Sequence, residues 1–497
     1  MSRSIMIQGT GSGVGKSIIV TALCRIFMQD GYRVAPFKSQ NMALNSGVTI
    51  DGMEMGRAQI TQAEAAGIKP SVDMNPILLK PTCDTGSQVI ICGKPIGSMQ
   101  AVEYHKYKPQ LTEVIKECFF RLQQEYEIIV IEGAGSPAEI NLKDNDIVNM
   151  YMARVANAPV ILVADIDRGG AFAWIAGTLE LLSEDERFRI KGIIINKFRG
   201  DKTLLESGLR FMEERYDVPI LGVIPYFHDI CIEEEDSLGL GKEAREKVTE
   251  KGAEIVVIQL PHISNFTDFD MLAREDDIFL KYVKPGEHLG NPDMIIIPGT
   301  KSTIADMNYL YATGCACEIL SIINNQRQTV LLGICGGFQM LGTSIIDTEH
   351  IESAIEMTNG LGLLDITTTF LPQKLTTQVK AQVCHKLLEA GLAITGYEIH
   401  MGKTTYGNGI TPLFNISYPE NRYDGAISND GLVMGTYIHG LFDNHKFRRV
   451  FINYLRKRKG LPLHTAINQI SKETEYDNLA ALIRENVDMK RIYASLQ

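Results

Sequence analysis

At 497 residues the chain is too long for a single hydrophobic core, so two domains are expected, and 45% hydrophobic with 22% charged residues excludes a largely disordered protein. The formal net charge of -11 excludes a broad basic field for nucleic acid or anionic membrane, so any anionic substrate must be held by local groups. Nine cysteines without a C-x-x-C pair argue against disulfides and structural zinc and for a reduced compartment.

No apolar run reaches membrane-spanning length, and the N-terminus passes from a short apolar run straight into glycines without a signal-peptide core. A cytoplasmic protein is therefore expected, with no membrane or nucleic-acid partner; a homo-oligomer stays open.

Strand-like runs alternate with helical stretches: Ile5–Gln8, Ile128–Ile131, Val160–Ala164, Ile193–Ile195 and Ile220–Ile224. This alternation predicts parallel α/β architecture. A polar, glycine-containing break from Glu233 to Gly252 follows, and then a second series at Ile255–Leu260, Met294–Ile297, Val330–Ile334 and Val433–Ile438. The expected organisation is a first α/β domain over 1–235, a linker over 236–252, a second α/β domain over 253–446 and a helical tail over 447–497, with two doubly wound parallel sheets.

The first run leads through GTGSGVGKS into a helical stretch at Ser17–Asp30, the strand–loop–helix setting of a P-loop. Gly11, Gly13 and Gly15, with Thr10 and Val14 between and beside them, let backbone N–H groups turn toward phosphate oxygens, and Lys16 reaches the β/γ-phosphates. Ser17 is placed to bind Mg2+. Thr10 stands where the common motif has its first glycine, so the loop resembles the dethiobiotin synthetase type.

Glu132 ends the apolar run IIVIE, where an open α/β sheet gathers its ligands, and is the expected metal carboxylate. Asp51 and Glu54 are candidates for a second one. Asn196 follows another run, in NKFRG, at the position that contacts the purine in this kind of ATP site. Arg199 stands where a guanine-reading motif has aspartate, so ATP is preferred to GTP.

In TVLLGICGGFQMLG a buried strand, a glycine-flanked turn and a helix start put Cys335 on an elbow that exposes one side chain. A helix N-terminus favours the thiolate, and the Gly336 amide is the first candidate to hold an oxyanion. His439, in TYIHGLF, is the expected proton carrier for ammonia release from glutamine, with His400 in GYEIH as rival base. Class I glutaminases carry glutamate two residues after this histidine, but Leu441 stands there, so the third member stays open. The loop PGTKST brings Gly299 and Thr300 as oxyanion or glutamine contacts.

A P-loop domain followed by a glutaminase domain implies a carboxylate activated as an acyl phosphate and aminated by ammonia that must be sheltered from water. At this point the chain resembles the cobyric acid synthases, through GTGSGVGKS, PFKSQNMALNS, DGMEMGRAQ, MNPILLKPT, GSQVI, IEGAGSPAEINL, DIDRGG, NKFRGD, LGICGGFQMLG, GYEIH and TYIHGLF, from residue 9 to about 442. The resemblance implies glutamine and a corrin polycarboxylate as substrates: amidation of the b, d, e and g carboxylates of adenosylcobyrinic acid a,c-diamide. It also implies Lys38 near the transferred phosphate and Asp144 and Asp146 toward the substrate end, the two aspartates being equally readable as loop caps. Two other readings stay open: amidation of another polycarboxylate, such as cobyrinic acid at a and c, and a nucleotide-dependent regulatory protein with an inactive glutaminase module.

Overall fold

The computed structural model describes residues 2–83, 85–227, 230, 232, 252–325, 328–464 and 471–496. The expected linker lies outside these residues except for Gly252. The chain divides into two compact units, one of Met1–Ala43, Glu54–Glu235 and Ile470–Gln497, the other of Leu44–Met53 and Asp236–Gln469.

The first unit is built on a six-stranded sheet ordered Ile220–Pro225, Ile190–Phe198, Val160–Asp165, Arg3–Gly9, Ile128–Glu132 and Val34–Phe37. Every pairing in it is parallel. Alternate residues of Arg3–Gly9 serve opposite faces: Ile5 and Ile7 pack with Ile19, Leu23 and Ile26 of helix Lys16–Gln29, whereas Met6 joins a core with Phe37, Ile115 and Phe119. Both faces are thus covered, as a central parallel strand requires.

The second unit repeats the plan in the order Ile278–Val283, Ala253–Ile258, Met294–Ile297, Val330–Ile334, Val433–Thr436 and Ala426–Ile427. Only the last pairing is antiparallel. A second sheet, not foreseen from the sequence, adds the long antiparallel ribbon of Ile366–Val383 with Ala393–Tyr406. The first unit likewise carries a small sheet of Gln40–Met42, Ile77–Cys83, Gly86–Ile91 and Lys94–Gln100.

The tail expected as one piece is divided between the units. Helix His445–Arg458 sends Phe447, Phe451, Ile452 and Leu455 into the core of the second. Helices Lys472–Asn486 and Met489–Ser495 instead pack Leu479, Ile483 and Ile492 beside Lys16–Gln29, where Arg25 pairs with Glu473 at 2.6 Å and Asp477 at 2.7 Å. The basic run RRVFINYLRKR is therefore largely structural: Arg448 is buried against Glu275 at 2.6 Å, and Arg456 lies 3.1 Å from Asp277. Among the described residues no helix is long and apolar enough to cross a membrane.

Candidate active sites

In the first unit the loop after Arg3–Gly9 and the ends of its neighbouring strands meet at the C-terminal edge of the sheet. Gly13 (φ 70°) and Gly15 (φ 98°) take left-handed conformations. A Cβ on Gly15 would fall 2.2 Å from Nδ2 of Asn196, so only glycine closes this loop. Lys16 Nζ donates to Gly11 O at 2.8 Å and Gly135 O at 3.2 Å, which keeps the ammonium folded over the loop.

Glu132, fully buried, collects three of the residues read from the sequence or standing beside them. Its Oε1 accepts from Ser17 Oγ and Lys38 Nζ, each at 2.9 Å, and its Oε2 accepts from Gln62 Nε2 at 2.5 Å. The pairing of Ile7 with Glu132 in neighbouring strands explains why residues so far apart in sequence meet. A hydroxyl beside a carboxylate is a hard-oxygen donor set of the kind Mg2+ takes, and the glycine loop with Lys16 suits a triphosphate. The residues present therefore fit both groups.

Three groups of expected residues are engaged within the protein. Asn196 is turned to the loop, its Nδ2 donating to Val14 O at 2.9 Å and its Oδ1 accepting from Lys197 N at 2.9 Å, so it braces the P-loop. Asp146 is engaged as a cap: Oδ1 accepts from the amides of Val148 and Asn149 and Oδ2 from that of Tyr151, while Asp144 is exposed in an adjoining turn. Asp51 is exposed and belongs to the second unit, and Glu54 is buried and paired with Lys80 at 3.0 Å.

Sequence reasoning missed Lys197, whose Nζ bridges Gly13 O at 2.6 Å and Asp165 Oδ2 at 3.0 Å. The register of Asp165 against Asn196 at two adjacent strand ends was the available signal.

In the second unit, loops at the C-terminal ends of four neighbouring strands converge. Val330–Ile334 leads into Cys335, which has φ 53° and ψ -109°, a strained conformation for a residue with a Cβ and the mark of an elbow. The turn is tight enough that a Cβ on Gly337 would stand 1.9 Å from Ile297 O. Met294–Ile297 leads into Gly299 and Thr300, and a Cβ on Gly336 would lie 3.2 Å from the Thr300 amide nitrogen, so these backbone amides are neighbours. The expected oxyanion residues are brought together.

Val433–Thr436 ends three residues before His439, which the structure places beyond the strand in a turn through Gly440. Its ring is buried, and Nδ1 lies 2.6 Å from Oδ2 of Asp268, whose Oδ1 accepts from the Gly440 amide at 2.9 Å. The orienting acid thus comes from a different strand end, in the loop after Ala253–Ile258. The sequence signal is present in HISNFTDFD, shortly after a predicted strand, whereas the class I pattern points to residues following the histidine.

Burial disfavours the imidazolium, yet the charge and hydrogen bond of Asp268, together with the interactions of Cys335, outweigh it and push His439 up from 6.5 to about 10. Tyr397 stacks on the same ring, with centroids 5.3 Å apart. His400 has the opposite shift: burial pushes it down to about 3, its ring stacks on Tyr437 at 3.7 Å, and the Glu398 carboxylate is 4.0 Å away. A neutral, stacked imidazole of this kind is a poor proton donor, and Cys335 Sγ instead contacts the backbone next to it, Ile399 O, at 3.6 Å.

Fold and sites together define a class: a P-loop nucleotide-binding unit joined in one chain to a glutamine amidotransferase unit. Family models agree with this, a CobQ/CobB/MinD/ParA nucleotide binding domain matching residues 5–239 and a CobB/CobQ-like glutamine amidotransferase domain matching residues 254–447. The chain is 52% identical to a cobyric acid synthase of Alkaliphilus metalliredigens over 504 residues, covering 99% of each chain. Cobyric acid synthases of Yersinia enterocolitica and Streptococcus sanguinis are also 52% identical, each covering 99% of this chain and 98% of their own length. The chain belongs to the cobyric acid synthase family, ATP-dependent amide-forming ligases of cobalamin biosynthesis.

Proposed function

We propose that this enzyme amidates the b, d, e and g carboxylates of adenosylcobyrinic acid a,c-diamide, using ATP and glutamine, to give adenosylcobyric acid in the cytoplasm. The observation that carries this reading is the identity of 52% with cobyric acid synthases over essentially the whole chain. The geometry of both centres supports the division of labour.

At the glutaminase centre the Cys335 thiolate attacks the amide carbon of glutamine. The resulting oxyanion lies toward the amides of Gly336 and Thr300, and His439 gives its Nε2 proton to the departing ammonia. Water, activated by the now neutral His439, then cleaves the thioester to glutamate. Asp268 holds Nδ1–H throughout and keeps the ring in one orientation.

At the synthetase centre Lys16 and the loop amides hold the β/γ-phosphates. Lys38 offsets charge on the phosphoryl group as the substrate carboxylate takes it, giving an acyl phosphate and ADP. Ser17 and Glu132 would hold Mg2+, which supplies further charge neutralisation. Ammonia then displaces inorganic phosphate and leaves the amide.

Incubating the enzyme with ATP, glutamine and either the a,c-diamide or unamidated cobyrinic acid, followed by mass spectrometry, tests the substrate. Successive amidation of the a,c-diamide up to adenosylcobyric acid is expected. Amidation of cobyrinic acid at a and c alone would overturn the assignment.

The triad geometry predicts a pH effect. Asp268→Asn removes the negative charge that raises His439, so its pKa falls from about 10 toward 6.5. The imidazolium is present below its pKa and lost above it, so the alkaline limb of the glutaminase pH–rate profile should move to lower pH by about one unit or more. An unmoved limb, measured by glutamate release between neutral and alkaline pH, would count against Asp268 as the orienting acid.

A further inference from the structure

Residues Leu44–Met53 sit in sequence between two stretches of the first unit, yet they form part of the second. Within the second unit they reach the surroundings of both Cys335 and His439. Two side-chain amides make a reciprocal pair: Asn45 Oδ1 accepts from Phe266 N at 3.1 Å, and Asn265 Oδ1 accepts from Ser46 N at 3.1 Å. Ser46 O accepts from the hydroxyl of Tyr397 at 3.2 Å, the residue whose ring stacks on His439. Val48 packs with Tyr397 and Ile399, and Ile399 O is the carbonyl that Cys335 Sγ contacts.

The turn gripped by this segment is weak by itself. Asn265 is left-handed (φ 53°), and Phe266–Phe269 is a single short 3-10 turn whose leading amides have no partner of their own within it. Asn45 supplies the missing acceptor for the Phe266 amide across 221 positions of sequence. Asp268 lies in that turn, its own amide donating to Asn265 O at 3.0 Å, and its carboxylate holds His439. Asn45, Ser46, Asn265, Phe266 and Asp268 are all buried, so a lost acceptor leaves an amide away from bulk solvent without its partner.

We propose that Leu44–Met53 is a positioning element of the glutaminase centre, with Asn45 its principal residue, fixing the turn that carries Asp268 and thereby aiming His439. The proposal rests on the reading of Cys335 and His439 as the glutaminase pair. It means that the N-terminal half of the chain donates a part without which the glutaminase centre is misaligned, although the segment contributes no reacting atom.

The test compares Asn45→Ala, Asn45→Asp and Cys335→Ala in the full-length enzyme. Glutamate release and corrin amidation are followed with glutamine and, separately, with ammonium. Asn45→Ala is expected to lower kcat for glutamine by about tenfold, with KM changed less than about twofold and ammonium-driven amidation unchanged. Asn45→Asp, which keeps an acceptor for the Phe266 amide, should recover most of kcat. Wild-type kcat in Asn45→Ala overturns the proposal; so does equal loss in Asn45→Asp, or an equal fall in ammonium-driven amidation, which marks general misfolding. If Cys335→Ala still releases glutamate, the underlying reading fails instead, whereas an inactive Cys335→Ala beside a fully active Asn45→Ala refutes the segment's role alone.

Discussion

Replacing Cys335 by alanine is expected to lower glutamine-driven amidation by about a thousandfold or more while leaving amidation from added ammonium near the wild-type rate. The thiol is the atom that attacks glutamine, so nothing else in the elbow substitutes for it. The fold tolerates the change because Cys335 Sγ makes a contact of only 3.6 Å to Ile399 O and the strained backbone is set by Gly336, Gly337 and the neighbouring strand, with Cys335 N donating to Thr436 O at 2.8 Å. Parallel assays with glutamine and with ammonium check this. Loss of both activities would assign the cysteine a structural task.

Lys16→Ala should behave differently and stop amidation from either nitrogen source, by at least about a hundredfold. Activation of the carboxylate precedes any use of ammonia, and Lys16 is the cation that reaches the β/γ-phosphates from the P-loop. Its ammonium now rests on the carbonyls of Gly11 and Gly135, and alanine removes that charge from the loop. Glutamate release in this variant should continue from the other centre. Substantial amidation by Lys16→Ala with ammonium would contradict the P-loop assignment. The contrast between the two variants separates the centres more cleanly than either does alone.

The parallel strands were legible because both sheets are built from short, continuous apolar runs, and Met294–Ile297 and Val330–Ile334 are strands over the ranges expected. Residues at strand ends were legible for the same reason: Glu132 and Cys335 each follow a run whose burial needs no partner information. The antiparallel ribbon was hidden because Ile366–Val383 mixes threonine, lysine and glutamine with few apolar residues, and one of its faces is partly exposed.

Contacts between distant loops were the harder part. Asp268 meets His439 only because their strands sit in one sheet with two others between, and no local pattern announces that order. Asp146 stayed open between cap and substrate contact because an acid in a polar loop looks the same in either case. Asn45 lay inside a segment quoted for family resemblance, yet its partner, Phe266, is found only in the folded chain.

The most direct test of the account supplies wild-type enzyme with ATP, the a,c-diamide and glutamine labelled with 15N in its side-chain amide, with no ammonium added. The account predicts that each new corrin amide carries 15N, because ammonia freed at Cys335 is the nitrogen used at the acyl phosphate. Release of labelled ammonium with the corrin unchanged, or corrin amides formed without label, would contradict it.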